Sequence, residues 1–173
     1  MKFLLIIISF SLALQKEKLP ESVKNIHRVS NELYRSAQPN KKDMRALEDF
    51  GIKTIINLRL RCDDKQEIKG TSLVQKRIAI KTSKMTYDDM ILAMRSFDQC
   101  EKPALVHCRR GSDRTGCFVA CYRIIYENWS KEQALDSFLY DGLGYYENLF
   151  PNLREFVEDL NVDQFKRDIF AYQ

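Results

Sequence analysis

Cys108 and Arg114 are joined by five residues in the run Val106-His107-Cys108-Arg109-Arg110-Gly111-Ser112-Asp113-Arg114-Thr115-Gly116. A thiol and a guanidinium at this spacing can do one kind of work well: hold a phosphate ester and attack it. The run lies between an apolar strand-like stretch, Ala104 to His107, and a helical pattern from Arg114 to Tyr126. A tight turn that opens a helix points successive backbone N–H groups inward, so an anion meets a nest at the positive end of the helix dipole. Arg109, Arg110, Gly111 and Ser112 are the substrate-binding residues of that turn, and Gly111 allows close approach or a positive φ. Arg114 has the length and planarity for a bidentate grip on two phosphate oxygens, which lysine lacks. The same field favours the thiolate of Cys108, the nucleophilic form.

Cys108 is thus expected to attack phosphorus and form a phosphocysteine, which water then hydrolyses. Thr115 is placed to hydrogen-bond the sulfur and ease its departure. His107 reads as a structural residue that organises the loop. Cys-x5-Arg alone is a weak signal, but His107, Gly111, Thr115 and Gly116 at fixed offsets make it a specific one.

The segment HCRRGSDRTG resembles the signature of the cysteine-dependent protein tyrosine phosphatase superfamily. The stretches LYRSAQP, GIKTIINLR, YRIIYENWSKEQAL and DGLGYY extend the likeness over roughly residues 25 to 160. Together they are similar to small bacterial dual-specificity-like tyrosine phosphatases, many of them periplasmic. The resemblance implies a compact α/β phosphatase fold and hydrolysis of phosphotyrosine, with phosphoserine and phosphothreonine as further substrates. It implies Cys108 as nucleophile and Arg114 as phosphate binder.

The family's general acid is an Asp on a mobile loop 25–40 residues before the nucleophile. The corresponding loop here runs from Thr82 to Asp89 and offers only Asp88 and Asp89, in a first helical turn where the helix dipole already explains them. Asp113, inside the cradle, ranks first as the acid. Asp88 or Asp89 comes next, then Asp63 or Asp64, which a solvated turn explains equally well. Arg109 and Arg110 add charge at the mouth, and Lys81 and Lys84 extend it, as a basic solvated rim or as a preference for acidic substrates. An inositol-phosphate or phosphoinositide phosphatase is therefore a second reading. A phosphate-binding module with weak catalysis is a third, of another class. A low-molecular-weight phosphatase or arsenate reductase is disfavoured because its cradle lies at the extreme N-terminus, and a rhodanese has a shorter loop.

Strands must carry these residues. Leu33 to Ala37, Lys53 to Leu60, Arg77 to Lys81 and Ala104 to His107 read as strands. Helices are expected from an Asn40 cap to Phe50, after a Thr86 cap, from Arg114 to Tyr126, after a Ser130–Gln133 capping box, and from Pro151 onward. The alternation predicts an α/β domain with a central, largely parallel sheet flanked by helices, of the dual-specificity phosphatase type. Three loops would then converge beyond the carboxyl ends of the strands: Arg61 to Lys65, Thr82 to Met85 and Cys108 to Arg114.

The chain has 173 residues, 45% apolar, with a net charge of +4. This composition excludes disorder and multi-span membrane classes, and the mild charge gives no nucleic-acid footprint. Met1-Lys2 followed by the apolar run Phe3 to Leu14 has the pattern of a secretory signal, too short to span a bilayer. Ser11-Leu12-Ala13 offers a cleavage site, so residues 1–13 are expected to be a leader and 14–173 a single phosphatase domain. Its location would be periplasmic or secreted, with no stable membrane span once the leader is removed. Expected partners are a phosphorylated protein or peptide, or an inositol phosphate. No cofactor or metal is expected: His27 and His107 are the only histidines, and no C-x-x-C spacing occurs. Cys117 and Cys121, four apart on a helix, are too distant to bridge and read as core residues. Cys62 and Cys100 are candidate redox partners of Cys108 or of each other.

Overall fold

A computed structural model describes residues 18–171. The expected leader, residues 1–13, lies outside the described residues. Five strands, β1 (His27–Arg28), β2 (Leu33–Ser36), β3 (Thr54–Asn57), β4 (Val74–Arg77) and β5 (Ala104–His107), form one sheet in the order β1-β2-β5-β3-β4. All neighbours run parallel except β1, which pairs antiparallel with β2. Six helices surround it: α1 (Lys41–Asp49), α2 (Tyr87–Asp98), α3 (Asp113–Tyr126), α4 (Lys131–Tyr140), α5 (Pro151–Glu158) and α6 (Val162–Phe170).

The pleat sorts the side chains. Tyr34, Ile55 and Leu105 point to one face and pack with Met44 and Leu47 of α1. Leu33, Ile56, Ala104 and Val106 point to the other, where α2 to α6 supply Phe97, Phe118, Phe138, Val157 and Phe165. Strands buried on both faces read as continuous apolar runs, as β5 does. Capping boxes start three helices: Asn40 with Asp43, Thr86 with Asp89, and Ser130 with Gln133. No helix among the described residues is long and apolar enough to cross a membrane.

The fourth strand corrects the sequence expectation. The alternating run Arg77 to Lys81 joins the ladder only at Arg77; β4 begins three residues earlier, at Val74–Arg77, and is largely exposed at the sheet edge. Ile78 and Ile80 are buried because the chain leaving β4 crosses over the core, so their alternation reports burial and not pairing. That crossing brings Ile80 O to the site.

Candidate active site

Residues 108–112 join the end of β5 to the start of α3, and their carbonyls are all engaged from outside. Cys108 O faces His107 Nδ1 at 3.1 Å, and Arg109 O accepts from Gln38 N at 3.3 Å. Arg110 O accepts from Asn25 Nδ2 at 2.9 Å and Gly111 O from Arg35 Nη2 at 2.7 Å. Ser112 O accepts from Gly116 N at 2.7 Å, which begins the helix. A trans peptide points its C=O and the following N–H in opposite directions. Capturing these carbonyls therefore turns the N–H groups of Arg109 to Asp113 to the other side. Among the described residues, none of those amides donates to another backbone group. The result is an anion nest with Cys108 at its base, 1% exposed.

Gly111 holds φ at +78°, and a Cβ there would lie 2.5 Å from Ser36 O. Only glycine lets the turn rest against the end of β2. Gly116 fills a similar need: its Cβ would lie 2.6 Å from the Phe138 ring, so its absence lets α3 meet α4.

Arg114 is held in place before any ligand arrives. Its Nη1 donates at 3.1 Å to both Leu58 O, just past β3, and Ile80 O, past β4. Its Nε is buried without a partner, leaving that edge of the fork for an oxyanion. The Thr115 hydroxyl is likewise buried without a partner, one residue into the helix. Two orphaned donors beside a nest of inward-facing amides fit a tetrahedral anion better than any other ligand.

A cleft of about 160 Å³ opens over the nest, lined by Thr82, Arg109, Arg110, Asp113, Arg114, Leu149 and Phe150. Arg109 and Arg110 are exposed at its mouth, and Arg110 lies 4.3 Å over the Tyr146 ring. Asp113 is 6% exposed, and its Oδ1 accepts from Tyr146 N at 3.0 Å. That bond ties the segment after α4 to the cradle. Tyr145, in the same segment, donates to Phe150 O at 2.6 Å, and burial pushes its hydroxyl up to about 12. Ser112 is buried at the helix start and makes no side-chain cap bond. Lys81 and Lys84 are exposed and do not line the cleft.

The other expected acids are placed elsewhere. Asp89 accepts from Thr86 N at 2.9 Å in the α2 capping box, and Asp88 is exposed beside it. Asp63 is exposed, with its carboxylate near the Lys65 ammonium. Asp64 departs most from expectation: it is not on a solvated turn but fully buried under the cradle. Its carboxylate accepts from Gln38 Nε2 at 2.6 Å and Asn57 Nδ2 at 2.9 Å, and meets His107 Nε2 at 2.9 Å. Burial acts to raise the Asp64 carboxyl, but the bonds from His107, Gln38 and Asn57 prevail and hold it below the usual range. The His107 ring thus bridges the two layers, with Nδ1 facing Cys108 O at the base of the cradle and Nε2 facing the buried Asp64 carboxylate.

All five cysteines are free. Cys100 precedes β5 and Cys108 follows it, so the two lie at opposite ends of the strand and cannot pair. Cys117 and Cys121 are buried in α3. Sequence reasoning passed over Arg35, Asn25, Gln38, Asn57 and Asp141. The one local signal was a charged residue inside the short buried strand Leu33–Ser36.

Known proteins are similar over most of this chain. Residues 29–139 match the family described as "PTP-SAK: Swiss Army Knife protein, DSP-PTPase phosphatase domain". The dual specificity protein phosphatase TpbA of Pseudomonas aeruginosa is 30% identical over 122 residues, which is 69% of this chain and 56% of that protein. This chain thus spans little more than half the length of that relative. Inositol diphosphatase DSP5 of Arabidopsis thaliana is 31% identical over 163 residues, covering 85% of this chain and 74% of that protein. The crystal structure of TpbA superposes with a TM-score of 0.77 at 27% identity, over 88% of this chain and 94% of that one. A second structure of TpbA, in complex with pTyr, gives the same TM-score at 26% identity.

Proposed function

Since this chain belongs to the dual-specificity-type family of cysteine phosphatases, we propose that it hydrolyses phosphotyrosine monoesters of proteins or peptides through a phosphocysteine. The observation that carries this reading is the outward capture of the loop carbonyls, which leaves a nest of free amides over Cys108.

The reaction runs in two balanced steps. In the first, the Cys108 thiolate attacks phosphorus while the nest amides and Arg114 bind the non-bridging oxygens. The S–P bond forms, the P–O bond to the leaving group breaks, and the departing phenolate takes a proton from Asp113. In the second, Asp113 accepts a proton from water as its oxygen attacks phosphorus. Phosphate leaves, and the Thr115 hydroxyl donates to the departing sulfur. Positioning and electrostatics carry most of the catalysis, as is general for phosphoryl transfer.

A second reading has its own support. Arg109 and Arg110 put two guanidinium groups at the mouth, and the relative DSP5 bears the name inositol diphosphatase. A substrate with a second phosphate would meet both.

The test is phosphate release from p-nitrophenyl phosphate, a phosphotyrosine peptide and an inositol diphosphate, with chelator present, by wild type and Cys108→Ser. Peptide turnover that disappears in the variant is expected. Turnover of the inositol substrate alone selects the second reading. Binding of the phosphopeptide by reduced wild type with no release from any substrate overturns both and leaves a binding module.

A further inference from the structure

Arg35 sits in the middle of β2 and is 3% exposed. A guanidinium is costly to bury, and burial is the largest influence holding this one below its usual range. Its Nη2 donates to Gly111 O at 2.7 Å and its Nη1 to Asp141 Oδ2 at 3.3 Å. Turning a loop carbonyl does not need a charge. The backbone amide of Gln38 does it for Arg109 O, and the neutral amide of Asn25 for Arg110 O. A full cation at the third carbonyl therefore has a consequence the neutral donors lack.

That consequence falls on Cys108. Arg35 interacts electrostatically with Asp141, Arg123, Cys108 and His27. These groups face it from the end of α4, from α3, from the end of β5 and from β1 respectively. The remaining charges of the cradle are Arg109 and Arg110 on the loop itself, Arg114 and Asp113 at the start of α3, and the His107–Asp64 pair. Arg35 differs from Arg114 in approaching from behind the loop, where no substrate oxygen can neutralise it. Water is excluded there too, so the attraction is weakly screened.

We propose that the Arg35–Asp141 pair sets the charge state of Cys108: Arg35 is a positioning residue that fixes the Gly111 peptide and favours the thiolate from behind the cradle, and Asp141 is the counter-charge that moderates it. The inference deepens the phosphatase reading and rests on it for the thiolate's role.

The test titrates the ultraviolet thiolate signal of Cys108 in the full chain, taken as the difference between each variant and the same variant carrying Cys108→Ser. No turnover is required, so failure of the phosphatase reading and failure of this inference are separate results. Removing an opposite charge nearby moves such a midpoint by about one pH unit or more. Arg35→Met is therefore expected to leave about tenfold less thiolate at any pH below the midpoint. Arg35→Lys, which keeps the charge and loses the fork, falls between Met and wild type. Asp141→Asn is expected to move the midpoint the other way, toward lower pH. Opposite signs for the two partners distinguish a charge effect from general damage, which would move both alike. Shifts of the same sign, or none, overturn the proposal. If Arg35→Met does not fold, the near-isosteric Asp141→Asn decides alone: a midpoint unchanged or raised overturns it.

Discussion

Asp113 has one structural partner and one place at the site. Its Oδ1 accepts the Tyr146 amide and fixes the cleft wall, while the residue also lines the cleft beside Arg114. The competing acids lack that position: Asp64 is committed to His107 and Asn57, and Asp89 to its capping box. Asparagine in place of Asp113 keeps a carbonyl for Tyr146 and loses only the transferable proton. Asp113→Asn should therefore fold normally yet turn over poor leaving groups more slowly by about 10²–10⁴-fold, the usual worth of a general acid. p-Nitrophenyl phosphate, whose leaving group needs little protonation, should suffer far less. Measuring kcat across a series of aryl phosphates checks this, since the variant's rates should depend steeply on leaving-group basicity. Equal losses along the series would remove Asp113 from the role.

At the scale of elements, the cradle is a turn pressed against the end of β2, and Gly111 is where they touch. A Cβ there would meet Ser36 C at 2.6 Å and Ala37 N at 2.7 Å, backbone atoms that cannot rotate away. Gly111→Ala should cost about 1–3 kcal/mol through strain and overpacking, visible as a lowered Tm. It should also abolish turnover in the fraction that stays folded, because relieving the clash displaces the very peptide that aims the Ser112 amide. Wild-type kcat in a folded variant would show that the loop has room this geometry denies it. What could be read from the sequence follows the same division. The cradle was legible because its chemistry is contiguous, and β5 because Pro103 and Cys108 bracket an apolar run. The supports were not, because each is a contact between distant parts of the chain. Arg35 meets Gly111 across 76 positions, His107 meets Asp64 across 43, and Arg35 meets Asp141 across 106. Asp64 read as a surface turn residue since nothing near it in sequence shows the donors that surround it. Ile78 and Ile80 misplaced β4 because burial of a crossing segment has the same period as a strand.

For the whole molecule, the sheet brings together at one end groups that repel one another. β3 and the crossing after β4 hold Arg114 through Leu58 O and Ile80 O, β2 holds Arg35, and the loop itself adds Arg109 and Arg110. Folding thus assembles cations and orphaned donors that the unfolded chain keeps apart in water. An oxyanion satisfies them only in the folded state, so binding and stability are linked. Inorganic phosphate at about a hundredfold its dissociation constant should stabilise the protein by about 2.7 kcal/mol. For a chain of this length that is a Tm increase of roughly 5–11 °C. Cys108→Ser should keep the whole increase, since it removes the negative charge that competes with the anion and leaves every donor in place. Arg114→Ala should lose most of it. Thermal melts in phosphate and in chloride of matched ionic strength separate this from general salt effects. A phosphate-specific increase that survives in Arg114→Ala would mean that the anion is held at the Arg109–Arg110 mouth and not in the nest, and the catalytic geometry argued from Cys108 would lose its ligand.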